Sequence, residues 1–257
     1  MSRISKRLNE YLGREFDTTK SGKCFIINYE GNRKVTVMFY DGYVKEVSLD
    51  ELKSGKIRNP FSDGFLVKGV GVCDVYTQEA GKVSKEYKLW CGILERCYCE
   101  KFHAKKPTYI DCTIHEDWKL YSNFKQDVVE IPNFNKSVTC GWCLDKDILL
   151  KGNKVYSKDT CCFVPKQINS LLIANRKVRG DLPIGVQKVK RDGKFAACIS
   201  RYNKNVTLSV HDCPMEAFYA YKAAKEAYIK EVANKWRDKI DPRVYEALMN
   251  WEVSADD

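Results

Sequence analysis

The spacing of hydrophobic residues changes several times along the 257-residue chain, and this change constrains the fold more than any other feature. The first part contains three short runs rich in β-branched and aromatic residues, Cys24–Tyr29, Lys34–Tyr40 and Tyr43–Ser48. Such runs are typical of strands. Asp41-Gly42 separates the last two and is a strong hairpin signal. The pattern predicts a small β-barrel of the Src-homology type over residues 1–62.

The middle of the chain changes to helical spacing. Trp90 and Leu94 belong to one apolar stripe, and a second helix is predicted over His115–Val129. Residues 140–165 then become strand-like and rich in turn residues. Gln167–Arg176 returns to helical spacing, with basic residues at its end, where they favour the helix dipole.

A hairpin is predicted near residue 190. Val186–Lys190 and Lys194–Ser200 have the composition of strands and flank Asp192-Gly193, a turn pair that favours tight hairpins. A third strand is predicted at Val206–Val210 after a polar turn. These three segments predict a three-stranded antiparallel sheet.

Two helices are predicted after this sheet. Pro214 begins a long helix with a regularly spaced apolar face, and Asp241-Pro242 is a typical cap and first turn for a short final helix. The predicted fold class is therefore α+β. It comprises the N-terminal barrel, a mixed central unit over residues 63–180, and a unit over residues 181–257 in which the sheet packs on the long helix.

The positive charge is concentrated in one part of the chain. The whole sequence has 44 Lys and Arg against 34 Asp and Glu, a net charge of +10, and residues 135–204 alone contain 15 basic and 5 acidic side chains. A local basic excess is typical of proteins that bind a phosphate backbone. The alternative is a solvated, lysine-rich surface without a ligand.

No apolar run approaches the length of a membrane span, and the basic residues near Met1 precede no apolar signal core. We therefore expect a cytoplasmic protein without a membrane partner. Its 12 cysteines are expected to be reduced in that compartment.

Several short motifs in the central unit resemble those of phage HNH-type homing endonucleases. They are Leu144-Asp-Lys-Asp147, Gly152-Asn153, Tyr156-Ser157, Cys162-Phe-Val-Pro165 and Gln167-Ile-Asn169, preceded by Tyr87-x2-Trp90, Arg96-Cys-Tyr98, Trp118 and Phe124. The resemblance implies a ββα-metal finger, two strands and a helix that hold one divalent ion over the scissile phosphate. It implies Asp145 and Asn169 as the ligands of Mg2+ or Mn2+.

The sequence departs from this family at the general base. The family has a histidine after the acidic ligand, and this chain has Lys146. An ammonium with a pKa near 10.4 is a poor base at neutral pH, so we expect Lys146 to contact the phosphate instead. His115, which lies just before the Trp118 segment, is the reserve candidate for a catalytic base; the alternative for it is a capping or surface residue.

Two functions follow from this departure. The first is metal-dependent cleavage of duplex DNA by a phage-encoded, homing-endonuclease-like protein. The alternative is a catalytically degenerate relative that binds DNA or antagonises a host protein, for example a defence factor. The first function requires cleavage of DNA, and the alternative requires that DNA is not cleaved.

Cysteine spacing suggests a different metal. Cys140 and Cys143 form a C-x2-C pair, and Cys161-Cys162 follows. Structural zinc normally takes two well-spaced pairs. Because the second pair is adjacent, reduced core cysteines are the favoured interpretation and zinc is the alternative.

The C-terminal unit resembles the plant Apetala-type DNA-binding domain. Leu182-Pro-Ile-Gly-Val186, Gly193-Lys-Phe-Ala-Ala197 and Glu216-Ala-Phe-x2-Ala220-Tyr221 are similar to that family. The resemblance implies a sheet that enters the major groove of double-stranded DNA. The alternative is a sheet that only stabilises the protein.

The basic residues of this region are the candidate DNA contacts. In the sheet, Lys188 and Lys190 are predicted to alternate onto one strand face. The partner expected is double-stranded DNA, with a host protein as the alternative, in the cytoplasm of an infected bacterial cell. The complete candidate set is Lys151, Lys154, Lys166, Arg176, Lys177, Arg179, Lys188, Lys190, Arg191, Lys194, Arg201 and Lys204.

Overall fold

A computed structural model describes residues 3–79, 81–172, 180–202 and 204–257. The fold is mixed α+β, as predicted, and divides after Asp127 into two compact units. The first unit contains α1 (Arg3–Tyr11), β1 (Glu15–Asp17), β2 (Lys23–Gly31), β3 (Lys34–Phe39), β4 (Val44–Val47), α2 (Leu49–Lys53), β5 (Gln78–Glu79), β6 (Lys82–Val83), α3 (Lys85–Tyr98), α4 (Glu100–Lys105), β7 (Thr113–Ile114) and the start of α5 (Tyr121–Glu130).

The second unit begins inside α5. After that helix it contains α6 (Phe134–Thr139), β8 (Cys143–Asp145), β9 (Val155–Tyr156), β10 (Cys162–Val164), α7 (Lys166–Leu171), β11 (Val186–Lys188), β12 (Phe195–Arg201), β13 (Lys204–His211), α8 (Pro214–Trp236) and α9 (Pro242–Met249).

The first unit is built on an antiparallel sheet in the order β1-β2-β3-β4. The three predicted strands are present as β2, β3 and β4. Alternate residues such as Ile26, Val35 and Val37 are buried in its core. At the end of β4, Ser48 and Glu51 form a capping box that begins α2, each side chain accepting a hydrogen bond from the other's backbone N–H.

The predicted closure of this sheet into a barrel is not found among the described strands. The short strands β1 and β4 are the two edges of this sheet and are not paired with each other, so the sheet is open. Helix α1, which the hydrophobic pattern does not predict, packs on β2, and its Leu8 and Tyr11 contact the core. The helix therefore covers apolar surface that barrel closure would otherwise bury.

The helix predicted over His115–Val129 is present in two pieces. A 3₁₀ turn covers Glu116–Lys119, and α5 begins only at Tyr121. The break occurs because the backbone of Val72 bonds to both sides of Leu120: its N–H donates to Lys119 O at 2.8 Å, and its C=O accepts from Tyr121 N at 2.9 Å. A contact with a distant segment thus interrupts a locally helical pattern.

The C-terminal sheet has the order β11-β12-β13 and is antiparallel throughout, as predicted. Its central strand β12 packs on α8, which begins at Pro214 as expected. Val186, Ala197 and Ile199 are buried on the side that faces this helix. The short final helix α9 begins with Asp241 as its N-cap, whose side chain accepts a hydrogen bond from Arg243 N.

Gly185 allows the sheet to approach α8 closely. Its φ is +76°, and a Cβ placed there would lie 2.1 Å from ring atoms of Tyr221. Gly193 in the β11–β12 turn has a similar φ of +71° but open space around it. The two glycines therefore share a backbone requirement and differ in the room for a side chain.

We predict that Gly185→Ala lowers the free energy of unfolding by about 2–4 kcal/mol, because it adds a steric clash to a left-handed backbone. Gly193→Ala is the matched control and should cost only about 1 kcal/mol. Denaturant unfolding of both variants measures the difference. Equal losses would contradict the close contact with Tyr221.

Candidate functional site

The segment that carries Asp145 and Asn169 forms strand β8, a loop that contains the two-residue strand β9, strand β10 and helix α7. Strands β8 and β10 are antiparallel, with Leu144 opposite Phe163. Pro165 ends β10 in an extended conformation and caps α7, where its carbonyl accepts hydrogen bonds from Ile168 N and Asn169 N. Helix α7 packs against β8, so the structure brings together the two elements that carry the predicted ligands.

Asp145 is the last residue of β8 and lies opposite Cys162. Its Oδ1 accepts hydrogen bonds from Asp147 N at 2.9 Å and Ile148 N at 3.0 Å, so the carboxylate fixes the first turn of the loop. The pKa of this carboxyl is raised to about 6: burial is the largest cause and the charge of Asp147 the next, while the two N–H bonds oppose the rise. The site therefore holds two neighbouring carboxylates in a partly desolvated position.

Lys146 points into the loop, and only 7% of it is exposed. Its ammonium donates to Asp147 Oδ2 at 3.0 Å and to Asn153 O at 2.9 Å, and it lies 5.9 Å from the centre of the Tyr156 ring. Asn153 in turn donates through Nδ2 to Lys146 O and Val155 O, each at 2.7 Å. These reciprocal bonds close the loop between the two strands.

Asn169 lies on α7 one position after the buried Ile168 and is half-buried. Its side chain offers an amide oxygen, and Asp145 offers carboxylate oxygen, which are the donors that hard divalent cations prefer. Among the described residues, no group of three or more His, Cys, Asp or Glu side chains is arranged to hold a metal ion. The predicted metal site has only two protein ligands, Asp145 and Asn169, and is therefore not a group of this kind.

His115, the reserve candidate for a base, belongs to the first unit. It is the N-cap of the 3₁₀ turn, where its Nδ1 accepts a hydrogen bond from Asp117 N at 3.4 Å. Its Nδ1 also lies 3.5 Å from the Asp117 carboxylate. The structure therefore shows a local capping interaction for this imidazole.

The four cysteines considered for zinc differ in exposure. Cys140 is exposed and Cys143 is half-buried on β8, whereas Cys161 and Cys162 are fully buried. Burial raises the pKa of the Cys161 thiol to about 12 and also raises that of Cys162. Neutral thiols are favoured at the two buried positions, and a zinc ligand would have to lose its proton there.

The predicted DNA contacts in the C-terminal sheet fall into two groups at opposite ends of β12. The first group, which we call the hairpin-tip group, is exposed and surrounds the β11–β12 turn. Strand β11 ends at Lys188, so Lys190 lies in the turn, and the two lysines do not alternate along one strand. The members of the hairpin-tip group are Lys188, Lys190, Arg191 and Lys194.

The second group lies at the β12–β13 turn, where Arg201 pairs in register with Lys204. Arg201 points toward α8 and forms an ion pair with Glu231, with its guanidinium 4.9 Å from the centre of the Tyr228 ring. Lys204 is exposed. Arg201 therefore has an internal partner, which a phosphate would have to replace.

The remaining basic candidates lie outside the sheet. Lys151 donates to Glu252 O and pairs with Asp257 at 2.8 Å, whereas Lys154 and Lys166 are exposed. Arg176, Lys177 and Arg179 lie outside the described residues.

Among the described strand residues, those on the sheet surface opposite α8 are uncharged, a feature that sequence reasoning missed. Cross-strand pairing places Gln187, Ala196 and Val210 in one row, with Cys198–Thr207 and Ser200–Asn205 beside it. Several of these side chains, such as Ala196, Cys198 and Ser200, are small. The uncharged run from Phe195 to Ser200 in β12 was the signal available in the sequence.

Asp147 and Asn153 were also not predicted as site residues. Asp147 neutralises Lys146, and Asn153 closes the loop through its side chain and backbone. The short Asp-Lys-Asp spacing contained the signal, because an aspartate commonly accepts a bond from the backbone two residues later.

Comparison with models of protein families, with curated proteins and with solved structures finds no significant match in any of the three. In the parts of the chain that the structure describes, no helix has the length and apolar character needed to cross a membrane.

We predict that Asp145→Asn raises the free energy of unfolding at pH 7 by up to about 3 kcal/mol. Asparagine keeps the oxygen that accepts the two N–H bonds and removes a buried charge. The folded pKa near 6 lies above the ordinary value, so the wild type should lose stability relative to the variant as pH rises from about 4 to 7. Urea unfolding across this pH range measures the effect.

Asp145→Ala is the companion variant. It removes the charge and also leaves the N–H groups of Asp147 and Ile148 without their acceptor, so it should be less stable than Asp145→Asn by about 1–3 kcal/mol. An alanine variant as stable as the asparagine variant would contradict the capping role.

Proposed function

We propose that this protein binds double-stranded DNA and cleaves it with a divalent ion held by Asp145 and Asn169. The observation that supports the proposal best is the order β8, loop, β10 and α7, with Asp145 at the end of the first strand and Asn169 on the helix that packs against it. In this proposal the segment is a ββα-metal finger of the HNH type.

The donor set fits Mg2+ or Mn2+. Both proposed ligands provide oxygen, and the carboxylate of Asp147 adds negative charge beside Asp145. Bound there, the ion would polarise the phosphate and lower the pKa of a coordinated water. The backbone N–H groups of Asp147 and Ile148 orient the Asp145 carboxylate.

Lys146 has a positioning role in this proposal. Its ammonium is bonded to Asp147 and to the carbonyl of Asn153, so it closes the loop and limits the repulsion between the two carboxylates. This differs from the phosphate contact expected from the sequence. His115, the reserve candidate for the base, belongs to the first unit, where its Nδ1 caps the 3₁₀ turn, and no step is assigned to it.

DNA positioning is assigned to the C-terminal sheet in the manner of an Apetala-type domain. The hairpin-tip group supplies exposed positive charges, and the uncharged surface opposite α8 offers close approach to a groove. The proposal also includes a phage origin and action in the cytoplasm of the infected cell. The N-terminal unit, a Src-homology-like module in this proposal, is assigned no ligand.

We predict that the wild type nicks supercoiled DNA in the presence of Mg2+ or Mn2+ and that Asp145→Asn reduces nicking by about 100-fold or more, because a metal ligand loses its charge. Asp238→Ala is the matched control, since it removes an exposed carboxylate beyond the end of α8. Agarose-gel conversion of supercoiled to open-circular DNA measures the rate.

The same variants must be compared for DNA binding without metal. Asp145→Asn is expected to bind as the wild type does. Nicking by Asp145→Asn at the wild-type rate would remove the proposed metal site, whereas loss of both nicking and binding would point to a folding defect.

We predict that the double variant Lys190→Ala/Arg191→Ala binds duplex DNA about tenfold more weakly and has a salt dependence shallower by about 1–2 in slope, because two phosphate contacts are lost. Lys105→Ala/Lys106→Ala is the matched control, two adjacent exposed lysines in the first unit. Fluorescence anisotropy at several salt concentrations gives both quantities. Equal effects in the two double variants would indicate that DNA is attracted by the overall positive charge and not bound by the hairpin-tip group.

A second candidate function is supported by the position of Lys146. The residue that stands where the family has its base is buried and paired with Asp147. A catalytically silent relative would retain DNA binding with a steep salt dependence and show no nicking with either metal. Absence of DNA binding even at low salt would instead favour a host protein as the partner.

A further inference from the structure

The second unit contains a cavity of about 240 Å³. Its walls come from the loop after β8, from the end of α7, from α8 and from the segment Trp251–Asp257. Apolar and aromatic side chains form much of the lining, with Leu171, Tyr221 and Trp251 among them. This combination of apolar walls with a few charged groups is typical of small-molecule sites.

Lys225 is the polar group that distinguishes this cavity. Its side chain is half-buried, and its ammonium donates to Leu171 O at 2.7 Å, the carbonyl at the end of α7. No carboxylate pairs with it within the described ranges. Burial lowers the pKa of this ammonium.

The other charged groups of the lining already have partners. Lys151 pairs with Asp257 at 2.8 Å and donates to Glu252 O, and Asp147 pairs with Lys146. Among the described residues that line the cavity, Lys225 is therefore the one charged group without an oppositely charged partner. A ligand with one negative charge would compensate the charge of this ammonium.

The walls also define the body of the ligand. Tyr221 and Trp251 are aromatic, and Leu171, Leu172, Ile184 and Val253 are aliphatic. The volume is below the roughly 300–1,000 Å³ of sites for drug-sized molecules, so the body is limited to about one ring. A carboxylate has the single charge required, whereas a phosphate monoester carries nearly two at neutral pH.

We propose that this cavity binds a small apolar carboxylate, with the carboxylate paired to Lys225 and the apolar body between α8 and the Trp251–Asp257 segment. The lining adjoins the proposed metal site at Asp147 but includes neither Asp145 nor Asn169, and it includes no member of the hairpin-tip group. Its ligand is a small molecule and not part of the DNA.

Benzoate is a suitable probe because it combines one ring with one carboxylate. Isothermal titration of the full chain should show binding of one benzoate, and Lys225→Met should weaken it about tenfold or more, because methionine retains an apolar stem without the charge. Lys230→Met is the matched control, an exposed lysine on the same helix, and should leave the affinity unchanged.

Three further probes separate the contribution of the ring from that of the negative charge. Benzyl alcohol, which has the ring without the charge, should bind about tenfold more weakly than benzoate to the wild type and equally to wild type and Lys225→Met. Inorganic phosphate and phenyl phosphate should both be weaker than benzoate. Binding of inorganic phosphate as strong as that of benzoate would overturn the proposal in favour of an unselective anion site.

A spectroscopic measurement keeps the test independent of the variant's folding. The pKa of the Lys225 ammonium, followed by NMR of labelled lysine, should rise when benzoate is added to the wild type. No binding of benzoate at about 10 mM, equal binding by Lys225→Met, or an unchanged Lys225 pKa would each overturn the proposal.

Discussion

The second unit depends on burial of the apolar side of α8. This helix packs against β12 and β11 of the sheet, against α7 of the proposed finger, and against α9. Its buried residues include Phe218, Tyr228 and Ile229, each of which contributes about 1.5–3 kcal/mol when it is removed from water. Because one helix serves all three partners, the sheet and the proposed finger share a core, and a change in the α8 side chains affects both.

Polar contacts complement this apolar core. Trp236 at the end of α8 donates through its ring N–H to Gln167 on α7 at 3.0 Å, which sets the helix of the proposed finger against α8. In contrast, the Asp145 loop is held by its own aspartate, lysine and asparagine side chains. The charged residues of the proposed site are therefore held by hydrogen bonds within their own loop. The orientation of helix α7, in contrast, depends on Trp236, which is 69 positions from Gln167.

Much of the fold could be predicted from local sequence. The β11–β12 hairpin follows from Asp192-Gly193, and the start of α8 follows from Pro214, because turn chemistry and helix starts depend on neighbouring residues. The break at Leu120 could not be predicted, since it depends on Val72. For the site, spacing predicts that Asp145 and Asn169 lie on a strand and a helix, and both positions agree. The burial of Lys146 depends on how the loop closes, which spacing does not determine.

The C-terminal sheet leaves β13 as an edge strand, with Val206, Leu208 and Val210 partly exposed along it. An edge of eight residues with apolar side chains is a template on which other chains can aggregate. The pairing with β12 shifts between Ala197 and Cys198, and such a bulge bends and twists the strand. A second strand would have to follow this irregular edge, so the bulge disfavours intermolecular sheet growth.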